Sequence, residues 1–178
     1  MQLENFISTY DANNWFNDHD CWYLTNLFNE YKDDIEVHDT PGYKFDQLNL
    51  NKIRPDIAQE FAKMCNGFAN HYFTMKRYGK FIPKWSFEEV RMKRYLANDG
   101  EFKPHVDVVD HASAKRFLTF IMYLNTNNGL TEFTNLDYSM KPEIGKVLVF
   151  PPTWMFPHVG KTPTDSNKFI LMTSLTYI

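Results

Sequence analysis

The second half of the chain is a series of short apolar segments separated by turn signals, and this pattern limits the fold more than any other feature. The clearest segment is 117–124, which a polar loop at 125–129 follows. Short strands at this spacing are typical of an antiparallel sandwich or barrel. Pro151 and Pro152 end one segment, because proline cannot donate to a strand ladder. The predicted strands cover 90–96, 102–108, 117–124, 131–133, 146–150 and 168–177.

A helical pattern precedes these strands. Pro55 suits the first turn of a helix that we predict to run to about residue 76. Apolar residues recur along it at helical spacing, namely Ile57, Phe61, Met64, Phe68 and Tyr72. A shorter helix is predicted within 18–28 and a turn at 39–42. The prediction is therefore a mainly β (α+β) fold, a double-stranded β-helix or jelly roll with N-terminal supporting helices.

Length and composition exclude several classes of protein. A chain of 178 residues is predicted to form a single domain, with 1–84 as a helical support region and 85–178 as the jelly-roll core. The net charge of -3 gives no reason to expect a nucleic-acid partner. No apolar run of about 18 residues is present, so no membrane association is expected. The N-terminus lacks the features of a secretion signal, which predicts a cytoplasmic protein. The oligomeric state stays open.

Three polar side chains suggest a metal site. His105 and Asp107 are two residues apart, so on extended backbone they point the same way and can reach one ion. His158 would have to be brought to them by folding. Two imidazoles and one carboxylate that leave coordination positions open are the ligand set of non-haem Fe(II) oxygenases. A His-x-Asp tripeptide alone is a weak signal, so the order of the residues around it carries more weight.

From about residue 90 to the end, the chain resembles the prolyl 4-hydroxylase-like branch of the 2-oxoglutarate/Fe(II) dioxygenases. The matching elements occur in the family's order: Tyr95, His105-Val106-Asp107, Met122-Tyr123-Leu124-Asn125, Gly129 to Phe133, Pro142 to Gly145, His158 and Lys168. The usual double glycine is replaced by Asn128-Gly129-Leu130, and the loop 108–115 matches nothing in the pattern. The substrate is therefore the least defined part of the resemblance.

The resemblance implies a role for each matching side chain. His105, Asp107 and His158 would be the iron ligands and so the catalytic residues. Lys168 would pair with the distal carboxylate of 2-oxoglutarate, and Tyr123 would hydrogen-bond the same carboxylate. A buried carboxylate needs such partners because its desolvation is otherwise costly.

Further residues are assigned to the walls of the site. The resemblance implies that Tyr95 lines the co-substrate pocket. Thr119, Ile121 and Tyr123 alternate onto one strand face, which fits a pocket-lining set. Arg116 and Trp154 are candidate substrate residues at the mouth of the barrel.

The implied cofactors are Fe(II), 2-oxoglutarate and dioxygen as co-substrates, with ascorbate as a candidate supporting reductant. The first functional hypothesis is hydroxylation of a C–H bond of a prolyl residue in a peptide or protein, with release of succinate and CO2. The second is the same chemistry on a free amino acid or small metabolite. The third is a non-catalytic jelly-roll binding module. The carboxylate of Asp107 favours hydroxylation over halogenation, because related halogenases leave that position to a halide.

Overall fold

The helices lie in the first half of the chain, as the sequence predicts. The computed structural model describes residues 2–82 and 84–178; Met1 and Pro83, both within the predicted support region, lie outside the described residues. The α-helices of that part are α1 (Asp18–Glu30), α2 (Leu50–Ile53) and α3 (Pro55–Lys76). Asn17 caps α1, accepting hydrogen bonds from the backbone of His19 and Asp20. None of the described helices is long and apolar enough to cross a membrane.

The strands form one antiparallel sheet. They are β1 (Ser8–Asp11), β2 (Glu36–Thr40), β3 (Tyr43–Asn49), β4 (Ser86–Phe87), β5 (Arg91–Tyr95), β6 (Glu101–His105), β7 (Arg116–Tyr123), β8 (Thr131–Phe133), β9 (Tyr138–Met140), β10 (Lys146–Phe150), β11 (His158–Gly160) and β12 (Lys168–Thr176). Across the described residues the strand order is β1-β10-β7-β12-β5-β3-β6-β11-β8-β9, with β2 paired to β3 and β4 to β12. The predicted strands are present with boundaries shifted by up to three residues.

The sheet curls until its distant strands face each other. The rings of Phe133 on β8 and Phe150 on β10 are 5.1 Å apart, although these strands are far apart in the sheet order. The ring of Phe150 is also 4.8 Å from that of His158 on β11. An antiparallel sheet closed on itself in this way is a double-stranded β-helix, and the predicted jelly-roll fold is confirmed.

Strand β7 separates two hydrophobic cores. Successive side chains of a strand point to opposite faces. Phe120 and Met122 pack in the cluster that contains residues of α1 and α3. Ile121 and Tyr123 pack in a second cluster inside the curled sheet. The helices therefore cover the outer face and leave the inner face to form the site.

The support region contributes more than helices. Three strands, β1, β2 and β3, also lie within it. Strand β3 pairs with both β5 and β6, so it is an integral part of the barrel wall. The turn predicted at 39–42 connects β2 to β3. The sequence analysis missed these strands. Strands β1 and β3 pair with strands that are distant along the chain, and β2 pairs with β3.

Candidate active site

The predicted triad meets on one pair of strands. His105 ends β6 and His158 begins β11, and the two residues are opposite each other in the antiparallel ladder. Asp107 Oδ1 lies 3.5 Å from His105 Nε2 and 3.8 Å from His158 Nε2. One ligand atom from each residue lies within 4.8 Å of the other two. Three donors this close can bind a single metal ion.

In each triad side chain, the polar atom that faces away from the proposed metal position forms a hydrogen bond with a neighbouring residue. His105 Nδ1 is 2.8 Å from the carbonyl oxygen of Lys103, and His158 Nδ1 is 3.1 Å from that of Phe156. A carbonyl oxygen can only accept, so each Nδ1 carries the proton and each Nε2 keeps a free lone pair. Asp107 Oδ2 accepts a hydrogen bond from the Thr119 hydroxyl at 3.1 Å, which leaves Oδ1 toward the histidines.

Burial favours the metal-binding protonation states. Burial lowers the pKa of His158 to about 4, so its imidazole is neutral near pH 7. Burial alone would raise the pKa of Asp107, but the adjacent side chains of His105, His158 and Lys93 bring it to about 2. A neutral imidazole and an ionised carboxylate are the forms that bind a divalent cation.

A cavity joins the triad to Lys168. It is small, about 30 Å³, and is lined by the triad together with Lys168, Tyr95 and Met172. The side chain of Lys168 is 3% exposed, and its Nζ donates to the carbonyl oxygen of Gly129 at 2.7 Å. Burial lowers the pKa of this ammonium to about 7. No acidic partner of Lys168 is present among the described residues, so the cavity offers a cation to an acidic ligand.

The two predicted tyrosines flank Lys168. Its Nζ is 5.5 Å from the ring centroid of Tyr95 and 5.8 Å from that of Tyr123. The Tyr123 hydroxyl donates to Thr131 Oγ1 at 2.8 Å. Burial raises the pKa of both phenols, so both remain neutral donors. Tyr123 must exchange its bond to Thr131 if it is to reach a bound carboxylate.

A wider groove opens outside the cavity. Its volume is about 860 Å³, and its lining includes His105, Asp107 and Arg116. Arg116 Nε donates to Glu88 Oε2 and its Nη1 donates to the backbone oxygen of Asp107, both at 2.8 Å. Arg116 therefore lies at the groove but is already paired. Trp154 is 78% exposed and lines neither space, so no contact with the groove supports its predicted substrate role.

The sequence analysis missed two residues of the site. Glu88 anchors Arg116. Lys93 lines both the cavity and the groove. A signal for Lys93 was present, because it is two residues before Tyr95 in the same strand and so shares its face. The residues predicted from the family pattern did not include it.

A comparison with protein families finds a match to the part of the chain that contains this site. Residues 90–174 match the model of the 2OG-Fe(II) oxygenase superfamily. The matched range includes the triad, Lys168 and both tyrosines. The resemblance predicted from the sequence is therefore confirmed for this part of the chain.

Similar proteins carry names from one branch of that superfamily. A protein of Acanthamoeba polyphaga mimivirus named "Putative prolyl 4-hydroxylase" is 27% identical over 117 residues, which are 60% of this chain and 43% of that protein. The chain thus spans less than half the length of this curated relative.

Solved structures agree in fold. The viral collagen prolyl hydroxylase of Paramecium Bursaria Chlorella virus-1, in complex with 2-oxoglutarate, has a TM-score of 0.75 at 19% identity, covering 97% of both chains. A prolyl hydroxylase of Trichoplax adhaerens, in complex with a peptide of hypoxia inducible factor, has a TM-score of 0.66 at 14% identity, covering 97% of this chain and 84% of that one. At these identities the likeness concerns the fold alone.

Proposed function

From the match of residues 90–174 to the model of the 2OG-Fe(II) oxygenase superfamily, we propose that this chain is an Fe(II)- and 2-oxoglutarate-dependent dioxygenase that hydroxylates a prolyl residue in a peptide or protein. The observation that carries the proposal is the convergence of His105, Asp107 and His158 beside a buried Lys168 that has no acidic partner in the part of the chain that the structure describes. A metal triad explains the first feature and an acidic co-substrate explains the second.

The donor set fits ferrous iron. Two imidazole nitrogens and one carboxylate oxygen are the ligands of non-haem iron oxygenases, and they leave three octahedral positions open. His105 and His158 would each present Nε2, because their Nδ1 atoms are bound to carbonyl oxygens. Thr119 would hold the Asp107 carboxylate in place. When bound, iron with 2-oxoglutarate and dioxygen supplies oxidising power for an unactivated C–H bond, yielding succinate and CO2.

The chain's own task is to bind, orient and exclude water. Lys168 would bind the distal carboxylate of the co-substrate with a charge-assisted hydrogen bond, and Tyr123 would add a second one. The apolar side chains of Ile121 and Ile170 line the same cavity and limit access of water. The enclosed volume is small, so we propose that the flexible side chain of Met172 moves aside as the co-substrate enters.

The prolyl target is supported by names and by shape. The mimivirus relative and the neighbouring structures are named as prolyl hydroxylases, and one of those structures contains a peptide. The groove of about 860 Å³ beside His105 and Asp107 is open enough for a chain segment. The second candidate, a free amino acid or small metabolite, would use the same groove. A cytoplasmic location and ascorbate support remain predictions.

Three measurements test the proposal. Anaerobic addition of Fe(II) and 2-oxoglutarate is expected to give a weak visible charge-transfer band. Admission of oxygen is expected to give succinate. A mass-spectrometric screen of proline-containing peptides is expected to reveal a product heavier by about 16 Da, the mass of one oxygen atom.

The outcomes separate the functional classes. Folded protein that gives neither the band nor succinate would refute the dioxygenase proposal and favour the non-catalytic binding module. Succinate together with oxidation of free amino acids, but of no peptide, would favour the second candidate over the prolyl peptide. His105→Ala serves as the inactive control, because it removes one of the three proposed ligands.

A further inference from the structure

Lys93 is a buried cation to which the proposed chemistry assigns no ligand. Its side chain is 8% exposed, and it lies on β5 with Tyr95 on the same inner face. Burial lowers the pKa of its ammonium to about 8. Its Nζ lies 4.2 Å from the ring centroid of Phe45 and 5.3 Å from that of Phe102. Within the described ranges it has no hydrogen-bond or ion-pair partner.

The position of Lys93 separates it from Lys168. Lys168 is opposite Tyr95 in the ladder between β5 and β12, whereas Lys93 is opposite Ile170. The two lysines are therefore displaced by two residues along the strands, about 7 Å. Lys168 lines the inner cavity but not the groove, whereas Lys93 lines both. Lys93 is thus at the boundary between the co-substrate space and the substrate space.

The other cations of the groove are neutralised. Arg91 pairs with Glu89, Arg116 pairs with Glu88, and Lys103 lies 3.5 Å from Glu101 Oε1. Among the groove-lining residues that the structure describes, Lys93 is the cation left without an acidic partner. A buried charge is unfavourable unless it is paired, which indicates that a ligand supplies the missing anion.

The sum of the charges in a site that holds iron and 2-oxoglutarate indicates which ligand supplies the anion for Lys93. Ferrous iron, the Asp107 carboxylate, the Lys168 ammonium and dianionic 2-oxoglutarate together sum to zero. The ammonium of Lys93 adds a positive charge that none of these balances. The remaining ligand of the groove is the substrate.

We propose that Lys93 binds a carboxylate of the substrate, close to the carbon that is hydroxylated. The inference rests on the proposed function and deepens it, because it selects acidic substrates. Two kinds of substrate could supply this carboxylate. It is either an acidic side chain next to the proline of a peptide or the free α-carboxylate of an amino acid.

Matched probes distinguish these sources. Two blocked peptides carry proline flanked by glutamate or by glutamine, and free proline is compared with proline amide. Binding is measured by NMR line broadening with Mn(II) in place of iron and 2-oxoglutarate present, and hydroxylation is measured by mass spectrometry with Fe(II). In wild-type protein one acidic probe is expected to bind better than its neutral partner by about tenfold to hundredfold, the range for a charge-assisted hydrogen bond. The preferred pair identifies the source.

The decisive variants are Lys93→Met and Lys93→Arg. Methionine fills similar space against Phe45 and Phe102 without charge, so the preference for the acidic probe is expected to disappear, whereas arginine is expected to retain part of it. Lys146→Met is the control, because it removes an exposed lysine paired with Asp11, away from both spaces. Thermal unfolding checks that each variant is folded.

Several results would overturn the inference. An equal preference for acidic probes in wild type and Lys93→Met would do so, as would the absence of any preference in wild type. Weakening of 2-oxoglutarate binding by about tenfold in Lys93→Met would assign the ammonium to the co-substrate instead. If wild type produces no succinate but keeps an acidic preference that Lys93→Met loses, the dioxygenase proposal fails and the carboxylate site stands.

Discussion

Binding of 2-oxoglutarate is expected to take up a proton at Lys168. Burial lowers the pKa of this lysine to about 7 in the free protein, so at pH 8 only about one lysine in ten is charged. A bound carboxylate needs the ammonium form and raises the pKa again. Each co-substrate molecule is therefore expected to bring about 0.9 proton to the protein at pH 8, about 0.5 at pH 7 and about 0.1 at pH 6.

The same linkage sets the affinity. Because the ligand raises the pKa of Lys168, affinity is full below pH 7 and falls as pH rises above it. The fall is about tenfold, or about 1.4 kcal/mol, per pH unit until the pKa of the bound state is reached. The Tyr95 and Tyr123 phenols do not contribute in this range, because burial raises their pKa values.

Calorimetry in two buffers measures the uptake directly. Phosphate and Tris differ in ionisation enthalpy, so the difference between the observed binding enthalpies gives the number of protons. The titrations use Mn(II) without oxygen, which prevents turnover. Lys168→Met is expected to abolish the uptake and to weaken binding by about tenfold to hundredfold. Lys146→Met, which alters an exposed ion pair, is expected to keep both the proton uptake and the affinity for 2-oxoglutarate.

Two results would refute this reasoning. Near-zero uptake at pH 8 in wild type would mean that Lys168 is already charged before binding. The same uptake in Lys168→Met would mean that another group takes the proton. In either case the buried lysine would not be the residue whose charge the co-substrate restores.

Three further predictions concern the triad and Lys93. Asp107→Ala is expected to abolish Mn(II) binding, followed by electron paramagnetic resonance, as well as succinate production; retained binding would contradict the assignment of Asp107 as a ligand. Thr119→Val, which removes the hydrogen bond to Asp107 Oδ2, is expected to weaken metal affinity by about 10- to 100-fold in a metal titration, and an unchanged affinity would remove Thr119 from that role. Burial lowers the Lys93 pKa from 10.5 to about 8, so Lys93→Met is expected to raise the free energy of unfolding by up to about 3 kcal/mol at pH 7 in urea denaturation. The gain should shrink as pH rises from 8 to 10.5, where the unfolded lysine loses its proton, and a gain independent of pH would contradict this cause.

Local patterns predicted the elements that depend on neighbouring residues. The helix predicted from Pro55 to about residue 76 is α3, because its apolar spacing and its proline act within the helix itself. The segment 117–124 appears as Arg116–Tyr123, because its strongly apolar sequence fits a strand buried on both faces. By contrast, β3 has Asp46 and Gln47 in its middle. Its strand conformation depends on pairing with β5 and β6, which no local pattern reveals.

The residues of the site also fall into those that the sequence predicted and those that it did not. His105, Asp107, His158 and Lys168 were predicted because a family pattern fixes their order along the chain, and the fold brings them around one cavity. Lys93 was not predicted, because a lysine in a strand that also carries Arg91 and Arg94 is more often solvated. Its two-residue spacing from Tyr95 was the available signal, and the pairing of β5 with β3 and β12 shows that it faces inward. Residues outside the family pattern thus needed the three-dimensional structure.

The two buried lysines are best understood together. Each, when protonated, is an uncompensated charge in the free protein, and replacing such a residue with an apolar one is generally stabilising. Neither has an acidic partner among the described residues, although exposed lysines such as Lys44 and Lys146 do. Ion pairs between lysines and acidic residues are common elsewhere in the chain, so the lack of such a pair at these two buried positions is not a general feature of its charge pattern. Both line the space beside His105 and Asp107, so the stability lost by burying them is recovered only when anions bind there.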